Sequence, residues 1–303
     1  MQRKPPVFAV KPKVVQPVAG QAVAVQTIAI AGSSAGRILG AVEGLAQSSV
    51  QVRVQRWLQV NQKQGQVSYF QGEQWRAARV GDRLQAIGDG LSTGPNSTAR
   101  LVVDTGIGTV DVAEKTKLWI QALAFAPDNG RITRIQVGQG QARLRVRPFT
   151  HRGSQLEIRT PASLSGVRGT DFGVTVQPNG KTGLAVLNGK VQSAAQGQAQ
   201  AVPGGYQNFT LPGKPPTPPV PLTNDTTLKQ TVERRLQGGD RKVRLVGQVD
   251  PVNLVMINGV PQVTDQQGRF TTAWQSIPSS FALPVVVITP LGIEQRHIVP
   301  LTR

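Results

Sequence analysis

The sequence predicts an all-β protein, and three observations predict it. Apolar and polar residues alternate with a period of two through short segments. Turn residues interrupt those segments about every 8–12 positions, as in a sandwich or roll, and the chain holds 33 Gly and 22 Pro. No stretch carries the 3.6-residue apolar stripe of an amphipathic helix. With 303 residues, and ~150 residues per domain as a prior, about two domains are expected.

The elements follow in order. Residues 1–56 read as a signal-like or disordered leader: Arg3, Lys4, Lys11 and Lys13 precede a small, apolar stretch from Val18 to Ala46 that ends before Gln47, the order of a secretory signal. No apolar run reaches the ~18 residues of a membrane span. Strands are then expected at Gln66–Phe70, Arg100–Asp104, Thr109–Val112 and Lys117–Ile120, and, as two separate strands, at Arg131–Val137 and Ala142–Val146. Asn129-Gly130, Asn179-Gly180, Asn188-Gly189 and Asn258-Gly259 read as hairpin turns, because both residue types tolerate positive φ. The proline-dense segment within 213–224 reads as a semi-rigid spacer. Beyond it, residues 225–303 hold short strands at Val243–Val249, Val252–Ile257, Gly268–Thr271, Val285–Thr289 and Glu294–Leu301, which suits a small immunoglobulin-like sandwich.

Charge is the strongest global feature: 34 Lys+Arg against 16 Asp+Glu, a net +18. Such an excess draws a protein toward polyanions. The charge is spread along the whole chain and no Lys/Arg run exceeds two residues, whereas nucleic-acid tails come as blocks. On the segment 142–147, Leu144 and Val146 face one way and Arg143, Arg145 and Arg147 the other. Three guanidinium groups about 7 Å apart on one face could hold a polyanion; the plainer reading is the solvent face of an amphipathic strand.

Chemistry is largely excluded. The chain has no Cys and only His151 and His297, so thiolate and histidine-rich metal sites, disulfides and Cys nucleophiles are out, and no cofactor is expected. Gly180-Lys181-Thr182 ends like a phosphate loop, but Thr175 stands where its first glycine belongs. Gly106-Ile107-Gly108 lacks the third glycine of a dinucleotide fingerprint. Ser163 and Ser165 sit in no nucleophile elbow. Asp82 with Asp89, or Asp104 with Asp111, could pair as glycosidase carboxylates, yet their glycine-flanked settings read as ordinary turns. No enzyme is expected.

One region carries a recognisable pattern. Thr93-Gly94 is followed by Ser97 and Leu101, then by Leu156–Arg159 ahead of Thr160-Pro161, then by Arg168-Gly169-Thr170-Asp171-Phe172-Gly173-Val174, and Leu187–Val191 closes it. This resembles the FecR domain over residues 57–212, most specifically over 156–191. On the residues themselves, Gly166 and Gly169 suit a tight bend, with Phe172 pointing inward and Thr170 bonded to its own backbone within the bend. Gly166, Arg168, Gly169, Thr170 and Phe172 thus read as a structural corner.

The resemblance implies a roll or right-handed stack of short strands and an extracytoplasmic setting. FecR proteins are sensors that pass an envelope signal to a sigma factor through a cytoplasmic segment and a membrane span, and residues 1–56 resemble neither. The expected function is therefore that of an exported, non-enzymatic envelope module that recognises or senses through another protein. Two alternatives stand beside it: a basic scaffold that binds acidic cell-wall glycan through Arg143, Arg145 and Arg147, and a cytoplasmic nucleic-acid-binding protein, the less favoured.

Overall fold

The structure is a computed structural model that describes residues 55–238, 240–276 and 281–301. All but the last two residues of the signal-like leader lie outside it. Among the described residues every regular element is a strand.

The first β-body begins with β1 (Leu58–Gln64), β2 (Val67–Gln71), β3 (Gln74–Ala77), β4 (Arg83–Leu84), β5 (Asp89–Thr93), β6 (Thr98–Val103), β7 (Gly108–Val112) and β8 (Lys117–Phe125). It continues with β9 (Arg131–Val146), β10 (Gln155–Arg159), β11 (Leu164–Val167), β12 (Asp171–Val176) and β13 (Thr182–Asn188). It ends with β14 (Lys190–Ala195), β15 (Gln198–Pro203), β16 (Tyr206–Thr210) and β17 (Val220–Pro221). The 17 strands form one hydrogen-bonded system, folded into two layers that share β9. One layer runs β4-β1-β6-β7-β9-β12-β13-β16-β17. The other runs β3-β2-β5-β8-β9-β10-β11-β14-β15. Only the β9–β10 pair is parallel.

The two strands expected at 131–137 and 142–146 are thus a single strand of 16 residues. Its first half belongs to one layer and its second half to the other, and the change falls at Gly138-Gln139-Gly140. Gly140 has φ +91° and a Cβ there would overlap Thr116, so only glycine makes this crossing without strain. On either side of it, Ile135, Val137, Ala142 and Leu144 are fully buried between the layers, with Leu58, Leu101, Leu118, Ile158 and Phe172.

The turns divide. Asn258 and Gly259 both have positive φ and close a two-residue hairpin. At Asn129-Gly130 only the Asn does, and at Asn179-Gly180 and Asn188-Gly189 only the Gly. The last is no hairpin, because β13 and β14 lie in different layers and Asn188-Gly189 is the corner between them. The proline-dense segment also differs from a free spacer. Thr217 exchanges bonds with Phe209 (Thr217 N to Phe209 O 2.9 Å, Phe209 N to Thr217 Oγ1 3.1 Å), and β17 pairs with β16. Prolines laid on an exposed edge strand block further pairing there.

Arg56 bolts the layers together. Its guanidinium, almost fully buried, bonds Asp104 Oδ2 (3.1 and 2.9 Å), the carbonyls of Ala124 (2.9 Å) and Ile132 (2.5 Å) and Thr133 Oγ1 (2.6 Å). Asp104 follows β6 in one layer, whereas the other acceptors lie on β8 and β9 in the other.

The second β-body consists of β18 (Lys229–Gln237), β19 (Asp240–Gln248), β20 (Leu254–Ile257), β21 (Val260–Gln262), β22 (Arg269–Thr271), β23 (Gln275–Ser276), β24 (Ala282–Ile288) and β25 (Glu294–Pro300). They form two antiparallel sheets, β18-β19-β22 with β23 on β19, and β21-β20-β24-β25. Val255, Ile257, Val285 and Val287 share one core with Val243, Leu245 and Phe270. Leu254, Met256, Val286 and Ile288, on the opposite face, form a separate buried cluster. A sheet buried on both faces reads as continuous apolar runs, as Leu254–Ile257 and Val285–Ile288 do.

The described part of the chain from Val54 onward is one compact unit, and glycine makes the junction possible. A Cβ on Gly173 would overlap the Pro290 carbonyl, and one on Gly183 that of Val252. Thr175 Oγ1 donates to Val252 O (2.5 Å) and Gln177 Nε2 to Asn253 O (3.0 Å).

Two outcomes are expected, the first in urea titrations and the second in limited proteolysis. Arg56→Met leaves the buried Asp104 carboxylate with only the Trp57 N–H (3.0 Å) and the longer Arg131 contact (3.6 Å), and lowers stability by about 3 kcal/mol. Gly173→Val forces the second body off β12, so limited proteolysis cuts the 222–228 connection much faster than in wild type while the strands of the first body stay protected.

Candidate functional site

The outer face of the first layer and the Pro290–Gly292 turn of the second body bound a groove of about 620 Å³. Its floor crosses the ends of β1, β6, β7 and β9. Four cations line it, Lys63, Arg100, Arg143 and Arg145, with one carboxylate, Asp111, and the buried amide of Gln141.

Cross-strand register builds this floor. Arg100 stands opposite Asp111, Asp111 opposite Arg143, and Arg145 opposite Asp171. The side chains then pair diagonally as well. Arg143 grips Asp171 with Nε and Nη2, both at 2.9 Å. Arg145 Nη1 reaches Asp111 at 3.0 Å, and its Nε lies 3.9 Å from Asp171. Arg100 Nε donates to Asp111. The hydrogen bonds to Asp171 and to Asp111 hold the Arg143 and Arg100 guanidinium groups above their ordinary range. Gln141 Nε2 donates to Pro290 O at 2.7 Å, and Arg143 Nη1 to Leu291 O at 3.4 Å, so the floor also clasps the second body.

The three arginines singled out from the sequence therefore separate. Arg143 is saturated by Asp171, Arg145 is shared between two carboxylates, and Arg147, exposed, lies outside the groove beside Gly106. They do not form one free cationic stripe. Lys63, Arg100 and Gln141 escaped the sequence reading; the signal that could have found Arg100 is its mirror-image strand, where Arg100 and Asp111 sit on the polar parity of facing segments.

The corner residues also resolve. Gly169, at φ +128°, packs so tightly on Pro148 that a Cβ would overlap it. Gly166 lies in β11 with open space around it and without positive φ, so the expected bend does not need it. Phe172 is fully buried. The Thr170 hydroxyl is buried without a partner rather than bonded within the bend; its methyl packs on Gly189. Arg168 donates to the Arg152 carbonyl. The other motif residues mark corners as well. Thr93 Oγ1 donates to Ala113 O (2.6 Å), Ser97 Oγ accepts from Gln66 N (2.9 Å), and Thr160 Oγ1 accepts from Ser163 N (3.0 Å) and from Thr182 (2.8 Å).

The carboxylates weighed as catalytic are each engaged separately. Asp82 binds Arg76 (2.6 and 3.0 Å), Asp89 accepts from Gln85 N and Ala86 N, Asp104 holds Arg56, and Asp111 belongs to the groove. His151 contacts Thr150 and His297 the Thr226 carbonyl. Lys181, far from cradling phosphate, is fully buried at the junction. Its Nζ donates to Thr264 Oγ1 (2.9 Å) and Asp265 O (2.5 Å) and lies 4.9 Å from the Phe209 ring centre. Burial pushes its ammonium down to about 8, against the pull of Asp265 and Asp250. Among the described residues no cluster of His, Asp or Glu could hold a metal ion, and no helix is long and apolar enough to cross a membrane.

A two-layer β-body whose threonines and glycines turn corners is a scaffold with a surface groove. Residues 89–192 match the family model described as FecR protein, so this stretch is similar to a FecR domain. No curated protein matches the chain. Two crystal structures of a candidate anti-sigma factor from Parabacteroides distasonis, at 2.50 and 1.65 Å resolution, are similar at 18% identity and a TM-score of 0.35, over 41% of this chain. The chain spans 55% of the length of those proteins.

Lys181 gives a pH prediction. Between about 8 and its ordinary value of 10.5 the unfolded chain keeps the proton that the folded chain has released. Unfolding free energy therefore rises with pH across that window, by on the order of 3 kcal/mol in full, and is flat in this term below it. Tyr69, held up to about 12 by burial and Asp89, acts above pH 10, so denaturant titrations between pH 8 and 10 isolate the lysine. Lys181→Met should abolish the rise.

Proposed function

We propose that the chain is an exported, non-enzymatic recognition module of the cell envelope, whose FecR domain takes part in signal sensing by binding another protein. The observation that carries this reading is the FecR match over 89–192, which spans β5 to β14 and so includes the strands on both sides of β9. FecR domains are regulatory. The candidate carboxylates support the same class, since Asp82, Asp104 and Asp111 are held in ion pairs and Asp89 caps a turn. The basic stretch followed by small apolar residues before Gln47 supports export. The second β-body, with its two antiparallel sheets, is read as an immunoglobulin-like accessory module fixed to the FecR domain.

Fractionation of the native host with sequencing of the mature N-terminus tests the proposal. A start at or near Gln47 in the extracytoplasmic fraction, with a discrete cross-linked protein partner, is the expected result. An intact Met1 in the cytosol overturns it.

A further inference from the structure

We propose that the groove between the first layer and the Pro290–Gly292 turn binds an acidic oligosaccharide, with Lys63, Arg100 and Arg145 taking its carboxylates and Gln141 and its polar neighbours taking its hydroxyls. This goes beyond the envelope reading, because it concerns a ligand that the purified chain either binds or does not, wherever the chain resides.

The first support is unused donor capacity. Arg143 spends its fork on Asp171, but Arg100 uses only Nε on Asp111 and Arg145 only Nη1 and Nε on the two carboxylates. The remaining guanidinium N–H groups of Arg100 and Arg145 make no hydrogen bond to a described residue, and neither does the Lys63 ammonium. Both arginines keep close to half their side-chain surface in solvent, 40% and 45%. Guanidinium forks that are half occupied present their other edge to a second planar anion, a carboxylate above all.

Shape is the second support. The groove crosses four neighbouring strands, β1, β6, β7 and β9, which at ~4.8 Å per strand gives a run of about 14 Å. Its volume falls in the range of small-ligand sites, and it lies at the junction of two β-bodies, a preferred place for them. Cations do not fill it continuously: Gln62, Gln64, Thr98 and Gln141 lie between and beside them. That alternation of cation and neutral hydrogen-bonding group matches a chain of sugar acids, which alternates carboxylate and hydroxyl. A nucleic-acid strand would call for aromatic faces to stack its bases, and the lining has none. None of the rings that carry a cation over them lines the groove, and Tyr69, Trp75 and Trp119 belong to the other layer.

The full chain is titrated by calorimetry with a tetramer of galacturonate, with the galacturonate monomer, with a neutral glucose tetramer and with a single-stranded oligonucleotide, at 50 and 300 mM NaCl. Expected is binding of the acidic tetramer that weakens with salt, clearly tighter than the monomer, with none for the neutral sugar. Lys63→Gln combined with Arg100→Gln should weaken it by roughly tenfold or more, for the loss of two charge-assisted contacts, with unchanged thermal unfolding. Lys214→Gln with Lys229→Gln, which removes equal charge outside the groove lining, should leave it within about twofold. Equal weakening by both pairs would show diffuse attraction to a basic surface and overturn the site. So would a monomer that binds as well as the tetramer, or an oligonucleotide that binds more tightly than either.

Discussion

The first β-body depends on a single strand that changes layers. β9 supplies the middle of both sheets, and the crossing at Gly138-Gln139-Gly140 fixes where each sheet's inside lies. A side chain at 140 would meet Thr116, and Thr116 is itself the hub of the neighbouring corner. Its backbone N–H donates to Thr93 Oγ1 (3.0 Å) and its hydroxyl accepts from Gln141 N (2.9 Å). The strand cannot slip by one residue, because slippage would turn Ile135 and Leu144 outward together. Arg56 then ties the same two layers at the start of the body. Corner and bolt act on one variable, the angle at which the layers meet, and the groove floor inherits that angle because Gln141, Arg143 and Arg145 come from the second half of β9.

The junction with the second body obeys a complementary rule. Strands β12 and β13 present small groups outward, Gly173, Thr175, Gly183 and Ala185, so backbone meets backbone and the carbonyls of Val252 and Pro290 come within reach. Close approach of this kind removes water from whatever polar group remains. Lys181 shows the consequence: neutral acceptors satisfy its ammonium, but no carboxylate is paired with it, and burial lowers its affinity for a proton. Burying a charge without a counter-charge costs stability. Here it coincides with bonds to Thr264 and Asp265 that fix how the two bodies meet, and the groove wall at Leu291–Gly292 is held by the same docking through Gln141.

Strand existence was legible in the sequence wherever alternation was regular. Val243–Val249 and the region around Val110 follow period two, Val285–Thr289 is a short continuous apolar run, and the folded strands lie where these patterns put them. Three things were not legible. The sequence reads β9 as two strands because glycines usually end strands, whereas here they let one strand continue through a bend. Asn-Gly pairs signal positive φ, but not whether the chain returns to the same sheet, and Asn188-Gly189 leads into the other layer. The proline-dense segment has the composition of a free spacer, yet Thr217 in its middle can satisfy the edge of β16 on both sides. Of the site, the arginine parity of 143 and 145 was visible, but their carboxylate partners, Asp111 and Asp171, come from strands about 30 residues away, and register alone brings them together.

That pairing decides how the charge of the chain should be understood. A net +18 suggests a broad polyanion surface, but many of the described cations are engaged. Arg56 is buried with Asp104, Arg134 pairs with Glu157, Arg244 with Glu233, and Arg76 and Arg83 lie over Tyr69 and Trp57. Exposed pairs of this kind add little stability, and their main effect is to remove free donors from the surface. Specific recognition of an anion then depends on where pairing stops short rather than on the total charge. In the groove it stops short for a definite reason: four cations face one lining carboxylate, and the second carboxylate, Asp171, is claimed by the bidentate grip of Arg143. The geometry that saturates Arg143 is what leaves Arg100 and Arg145 with an edge to offer.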